Sequence, residues 1–201
     1  MEALKTILKD GINGISKDNF NSRFKSIAQE IICNFSIKCG DKRYRFVEIE
    51  FYYYDSMHLN EEWNRKTYPR TGKATGDLFF HSSGVDICFE SDYPKGVFGG
   101  ILIRSLYDEN KRLYITGPLL CANEILNNGC WPIVEKASPR YCKIATTSRY
   151  GIQYDEEFDD QLCFYDENII LFNEFKKATW DYKKKQAKDL KRNYTNRFKC
   201  K

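Results

Sequence analysis

Glu48 and Glu50 stand two residues apart in YRFVEIEFYYYDSMH, residues 44–58. On a strand, that spacing sends both carboxylates to one face. Such a pair among aromatic rings can act as a general base, or as the acidic half of a buried ion pair. The strand itself is expected from Tyr44, Phe46, Val47, Ile49, Phe51, Tyr52, Tyr53 and Tyr54, which are β-branched or aromatic. Alternation sends Val47, Ile49 and Phe51 to a plain core face, and Phe46, Glu48, Glu50 and Tyr52 to the other. Two readings stand for that second face. It is a solvated surface with half-covered rings, or it is the floor of a cleft, where an unpartnered carboxylate loses hydration and takes a proton.

Three other segments bear on the choice. GGILIRSLY, residues 99–107, is apolar apart from Arg104, which either reaches water or pairs with a buried anion. FFHSSGVD, residues 79–86, is a strand broken by small residues and a glycine, as at a bulge or a close approach. TTSRYGIQY carries a second glycine, Gly151, directly after Arg149 and Tyr150.

The elements that position these residues follow from periodicity. Residues 1–32 read as helical, with Ser16 or Asp18 as a helix cap and Phe20, Phe24, Ile27, Ala28, Ile31 and Ile32 at helical spacing. From Phe35 to Phe172 the chain reads mostly as short strands: FSIKC, YRFVEIEFYYY, DLFFHSSGVDICFES, GGILIRSLY, YCKIATTS and QLCFYD. Turn-forming clusters separate them. GPLLCANEILNNGC predicts a short helix carrying Leu119, Leu120, Ala122, Ile125 and Leu126 and ending near Asn127–Gly129. Residues 60–77 form a polar, basic loop. Its RTGKATG lacks the spacing of a phosphate-binding loop. The expected fold is α+β: a single domain with a curved, mostly antiparallel sheet, flanking helices and a basic C-terminal helix.

Composition bounds the function. The 201 residues suffice for one domain with a sizeable core, and an aromatic content of 15% excludes a disordered chain. No apolar run is long enough to span a membrane, and MEALKTILKDG has no secretory apolar core. An intracellular place, cytoplasmic or nucleoid, is therefore expected, with the eight cysteines as free thiols. There is no C-x-x-C pair and there are only two histidines, His58 and His81, so no metal or cofactor is expected. The net charge of +4 is uneven: Lys176–Lys201 carries +9 and the remainder −5. That asymmetry suggests a polyanionic partner, while a helix packing its aromatics and solvating its lysines accounts for it equally.

Taken in order, these segments resemble the alkyladenine (3-methyladenine) DNA glycosylase family. VEIEFYYYD is similar to its E-x-E-A-Y strand. LFFHSSGVDICFE is similar to its aromatic-rich strand ending in a Y-G turn, and GGILIRSL to its apolar strand with an embedded arginine. ITGPLLCANEIL resembles its N-G-P-x-x-L helix entry, while SRYGI and LCFYD resemble its closing R-V-G strand and last strand. FKSIAQEIICNFSI fits the helix before the first strand, so the likeness runs from about Phe20 to Phe172. It implies a glycosylase-like domain over residues 1–172 and a basic helical extension over 173–201.

The resemblance also implies a site. Glu50 matches the glutamate that polarises a water toward the sugar C1′, Arg104 the arginine that helps hold that water, and the Tyr150 carbonyl its third contact. Tyr52 and Phe80 match opposing walls of the base pocket, and His58 its histidine. Glu90 stands at an asparagine position that screens exocyclic groups. Ser83 stands where the family inserts a tyrosine into the duplex. Serine cannot fill a gap in the stack, which leaves Phe79, His81 and Tyr93 as nearby wedges. Expected phosphate contacts are Arg65, Arg70 and Lys73 in the loop, and Lys183, Lys184 and Lys185 in the tail. The implied protein is a monomeric, monofunctional DNA glycosylase acting on duplex or single-stranded DNA. Two alternatives stay open. One is a glycosylase for a bulky modified base, single strands or a free nucleoside. The other is a non-catalytic nucleic-acid-binding module in which Glu50 merely pairs with Arg104.

Overall fold

The computed structural model describes residues 2–56, 67–89, 94, 96–147, 149 and 161–170. The N-terminal helical pattern forms two helices, α1 (Glu2–Ile12) and α2 (Phe20–Asn34). The break falls at Asn13–Gly14, where Gly14 adopts a left-handed φ of 70°. The residue capping α2 is Asn19 rather than Ser16 or Asp18. Its side-chain oxygen accepts from the Ser16 N–H and so closes the linker instead of the helix end.

Among the described residues nine strands follow: β1 (Phe35–Cys39), β2 (Lys42–Asp55), β3 (Leu78–His81), β4 (Gly84–Cys88), β5 (Val97–Asp108), β6 (Leu113–Thr116), β7 (Ile133–Lys136), β8 (Ile144–Thr147) and β9 (Cys163–Asp166). α3 (Pro118–Leu126) lies between β6 and β7, and α4 (Glu167–Ile170) follows β9. Every strand pairing is antiparallel, in the order β3-β4-β5-β2-β1-β7. β6 adds to β5, and β9 with β8 adds to β2. The fold is thus one α+β domain with a curled antiparallel sheet. Of the expected extension over 173–201, nothing falls within the described residues.

The long central strands, β2 and β5, each change outer neighbour part-way along. β2 pairs with β1 through Arg45 and with β9 from Glu48. β5 pairs with β4 through Leu102 and with β6 from Ser105. At this crossover the register carries two offsetting irregularities. Phe46 faces Leu106, Glu48 faces Ser105 and Ile49 faces Ile103, so Val47 and Arg104 are each an extra residue. Bulges of this kind put two successive side chains on one face and bend the strand.

The bulge corrects the expected faces of β2. Tyr44 and Phe46 precede it, Ile49, Phe51 and Tyr53 follow it, and all five point into the main core. Val47 instead joins Glu48, Glu50 and Tyr52 on the opposite face, in a small cluster with Ile169 and the rings of Tyr107, Tyr114 and Tyr165. The main core packs α2 against the sheet. Phe24 lies 4.7 Å from Phe51 between ring centroids, and Phe51 meets Phe164 edge-on at 5.2 Å. α3 ends at Asn127 as expected but buries Cys121, Ala122 and Ile125, leaving Leu119, Leu120 and Leu126 exposed. Neither β6 (LYIT) nor β7 (IVEK) shows the alternation that would mark a strand in sequence.

FFHSSGVD is a two-strand hairpin rather than one broken strand. His81 pairs with Gly84 across the exposed turn residues Ser82 and Ser83. Gly84 has φ 147°, and a Cβ there would lie 2.8 Å from Pro118 Cβ and 3.2 Å from the Pro118 backbone. Gly84→Ala is therefore expected to destabilise the protein by about 1–3 kcal/mol, through overpacking and backbone strain. A lowered urea midpoint with unchanged slope would show it.

Candidate functional site

The strand registers build the site directly. Phe79 faces Asp86, Asp86 faces Leu102, Leu102 faces Glu50 and Glu50 faces Cys163. Residues opposite one another share a sheet face. One row therefore crosses five strands on the side away from the main core, with Asp86 and Glu50 on either side of Leu102. At one strand spacing per step, their backbones are about 10 Å apart.

Around Glu50 the face is charged and buried. Glu48 and Glu50 are both fully buried, and Arg104 is 5% exposed. Arg104 Nη1 lies 3.3 Å from Glu50 Oε1, and its Nε lies 3.5 Å from Glu48 Oε1. The solvated-face reading is thereby excluded, and Arg104 takes the buried-anion role. Glu48 also accepts from the Ser105 hydroxyl at 2.9 Å and from the Cys163 thiol at 3.3 Å. Glu50 accepts from the Tyr52 hydroxyl at 3.0 Å. Burial, and next the charge of Glu50, push the Tyr52 phenol well above its ordinary range, so it stays a donor. Arg149, 3% exposed, lies over the Tyr52 ring at 4.8 Å and donates to the Phe51 carbonyl at 3.2 Å. Two glutamates and two arginines thus balance, as buried charges must.

Beside Tyr52 opens a cavity of about 370 Å³. Tyr52, Tyr68, His81 and Leu102 supply its rings and apolar wall, Thr67 and Ser83 its rim, and Arg70 and Asp86 its charges. Arg70 is 1% exposed. Its Nε and Nη2 both donate to Asp86 Oδ2, at 2.9 and 2.6 Å, and its Nη1 donates to the Tyr68 carbonyl. The Tyr68 ring covers its guanidinium at 4.4 Å. This pair fits because β5 has Gly100 beneath it. A Cβ at that position would lie 2.7 Å from Arg70 Nε and 3.0 Å from Asp86 Oδ2.

Several sequence expectations are thereby rearranged. Glu50, Arg104 and Tyr52 come together as one constellation. The Glu50 carboxylate meets the cavity through Tyr52, which forms the wall. Phe80 packs on the main core rather than opposite Tyr52. Its strand neighbours Phe79 and His81 take the other face and stack at 5.7 Å. Arg70, expected as a loop cation, is buried and paired with Asp86. Lys73 is half-buried in the loop, and its backbone N–H donates to the Arg70 carbonyl at 3.1 Å. Ser83 is exposed at the cavity rim. Tyr150, His58, Glu90, Arg65, Lys183, Lys184 and Lys185, together with Tyr93, lie outside the described residues.

Asp86, Tyr68, Arg149 and Ser105 were not anticipated, and neither was the inward turn of Arg70. Asp86 left a signal, as the one charge in the otherwise small or apolar strand GVDIC. Arg70 left none, since nothing in a polar loop marks the cation that turns inward. Among the described residues, no three His, Cys, Asp or Glu side chains cluster to hold a metal ion. No described helix is long and apolar enough to cross a membrane. No model of a known protein family matches the chain. No curated protein is significantly similar to it.

Two outcomes follow. Arg70→Met should destabilise by about 3–5 kcal/mol, because it strands a buried carboxylate. Adding Asp86→Leu should recover most of that loss in urea unfolding. Cys88 lies behind this pair, and burial, and next the charge of Asp86, push its thiol from 9.0 to about 12. The folded state therefore holds that proton more tightly than the unfolded chain. Its stabilising contribution is complete below pH 9 and is lost as the pH rises toward 12. Urea midpoints should fall over that window, and Cys88→Ala should flatten the fall.

Proposed function

We propose that the protein is a monofunctional DNA glycosylase that hydrolyses the N-glycosidic bond of a damaged or modified base, an alkylated purine by resemblance. The observation that carries this reading is the Glu50–Arg104 ion pair, buried directly behind the Tyr52 wall of a base-sized cavity. The ordered likeness of six sequence segments supports it further. Cavities of about 300 Å³ and upward with aromatic walls suit flat ligands, and an extruded base is gripped by stacking and by its hydrogen-bonding edge.

In this mechanism Glu50 is the general base. The Arg104 guanidinium favours its ionised form, and Glu48 anchors Arg104 from the other side. Water attacks C1′ as its proton passes to Glu50. The C1′–O bond forms, the C1′–N bond breaks, and the base leaves with the electron pair of that bond. No covalent enzyme intermediate is needed. Electron-poor alkylated rings gain from stacking on Tyr52 and Tyr68. DNA as the partner, and an intracellular place of action, belong to this same reading. The basic segment from Lys176 would add salt-dependent phosphate affinity.

One observation favours a second reading, a non-catalytic binding module. Glu50 is fully buried, and the Tyr52 hydroxyl already occupies one of its oxygens. The two readings separate on abasic-site formation, measured on alkylated duplex, the same strand unpaired, and undamaged DNA, with free nucleosides alongside. The glycosylase reading expects base release from at least one damaged substrate. It expects Glu50→Gln to slow release by about 10²–10⁴-fold while DNA affinity holds. Turnover by Glu50→Gln at the parent rate would remove Glu50 from the chemistry. DNA binding with no release on any substrate would favour the module.

A further inference from the structure

Among the described residues two pairs of thiols meet, and the hydrolysis outlined above uses neither. The first pair joins the end of β1 to the turn between α3 and β7. β7 begins at Ile133, opposite Lys38, and is preceded by Pro132, which has no N–H to extend the ladder. The residues before it bring Cys130 against Cys39. The Cys39 thiol donates to the Cys130 carbonyl at 3.0 Å, and the two thiols face each other. A Cβ at the adjoining Gly40 would lie 3.5 Å from Cys130 Sγ. The turn is anchored on both sides. Asn128 donates to the Tyr44 hydroxyl and to the Glu124 carbonyl, each at 2.8 Å, and Val134 pairs with Ile37.

The second pair is Cys33, near the end of α2, and Cys142, ahead of β8, whose thiols likewise face each other. The two pairs differ in access. Cys33 and Cys142 are both buried. Cys39 is buried too, but Cys130 is only half-buried and stands between the exposed Gly129 and Trp131. Thiol oxidation follows exposure as well as thiolate character. Burial, and next the facing Cys130 thiol, push the Cys39 thiol from 9.0 to about 11, so Cys39 keeps its proton at neutral pH and Cys130 is the thiol that reacts first.

We propose that Cys39 and Cys130 are a redox modification site, which hydrogen peroxide converts to a reversible disulfide while the buried Cys33–Cys142 pair stays reduced. The Cys130 thiolate attacks the peroxide. The O–O bond breaks, hydroxide takes up a proton and leaves as water, and Cys130 becomes a sulfenic acid. The Cys39 sulfur then attacks the Cys130 sulfur. The S–S bond forms, the S–O bond breaks, and the hydroxyl leaves as water with the Cys39 proton. The two thiols together give up two electrons and two protons, and the peroxide takes them. The bond holds the end of α3 and the start of β7 on β1 and restricts the unfolded chain, so it stabilises the fold. Cys39 faces Lys42, and eight residues of β2 lead from Lys42 to Glu50, roughly 25 Å at strand spacing. The inference is therefore independent of the glycosylase reading.

The test treats the reduced full chain with a small excess of hydrogen peroxide at neutral pH. The remaining thiols are capped with N-ethylmaleimide in urea, and the unreduced peptides are mapped by mass spectrometry. A Cys39–Cys130 link is expected to form at least about tenfold faster than any link between Cys33 and Cys142. Dithiothreitol should reverse it. The oxidised protein should show a higher urea midpoint than the reduced one. Cys130→Ser, at a half-buried position, should show neither the link nor the rise. Cys39→Ser keeps a donor for the Cys130 carbonyl and should stall Cys130 as a sulfenic acid that dimedone labels. Three outcomes overturn the proposal: no oxidation of Cys130, over-oxidation of Cys130 in the parent without a link to Cys39, or a Cys33–Cys142 link that forms as fast.

Discussion

Arg104 between Glu48 and Glu50 is the interaction on which the rest of the sheet depends. Three ionic groups sit inside the domain with almost no contact with water. Any one of them alone would be costly to bury. They are tolerated because the strands meet there in a particular register. The extra residue on each central strand puts Arg104 and Ser105 together on one face of β5, opposite Glu48 on β2. Without the paired bulges, strict alternation would direct Arg104 and Ser105 to opposite faces, and Glu48 would lose either its cation or its hydroxyl donor.

The same crossover explains the curl. β2 leaves β1 for β9, and β5 leaves β4 for β6, within a few residues of the bulges. Bulging increases local twist and bends the strand, so the far corners of the sheet wrap around α2 and the aromatic core. On the opposite face the second buried pair, Arg70 with Asp86, repeats the logic of the first. A strand carboxylate is neutralised by an inward-turning arginine, this time from a loop. Gly100 makes the space, and the Tyr68 ring covers the cation. The two charge clusters lie on either side of Leu102, and the second lines the cavity.

Much of the scaffold was legible in the chain. Phe35–Cys39, the long β2, the apolar β5 and the short helix after Gly117 all carry periodicity or turn chemistry that local physics reads correctly. Read from the residues alone, Glu50 and Arg104 were each left open between a solvated and a buried, paired state, and the strand register decided for the pair. β6 and β7 were not legible, because four residues of mixed character hold their conformation only through a neighbour. The start of α2 was legible to within a few residues, since a cap was expected at Ser16 or Asp18 and Asn19 takes that place, while Gly14 ends the helix before it.

The sequence by itself determined the class of the fold and the central strands, since these rest on alternation and propensity. Only the tertiary structure decided which face each residue takes and which cation meets which anion. A single bulge reverses the phase of a strand and moved Phe46 into the core and Val47 out of it. The same strand geometry left Phe80 in the core and gave the cavity to His81. Arg70 was read as a surface cation because loop sequences carry no periodicity, and it became a buried partner of Asp86 because Gly100, thirty residues further along the chain, leaves room for it. Long-range coincidences of this kind have no local signature.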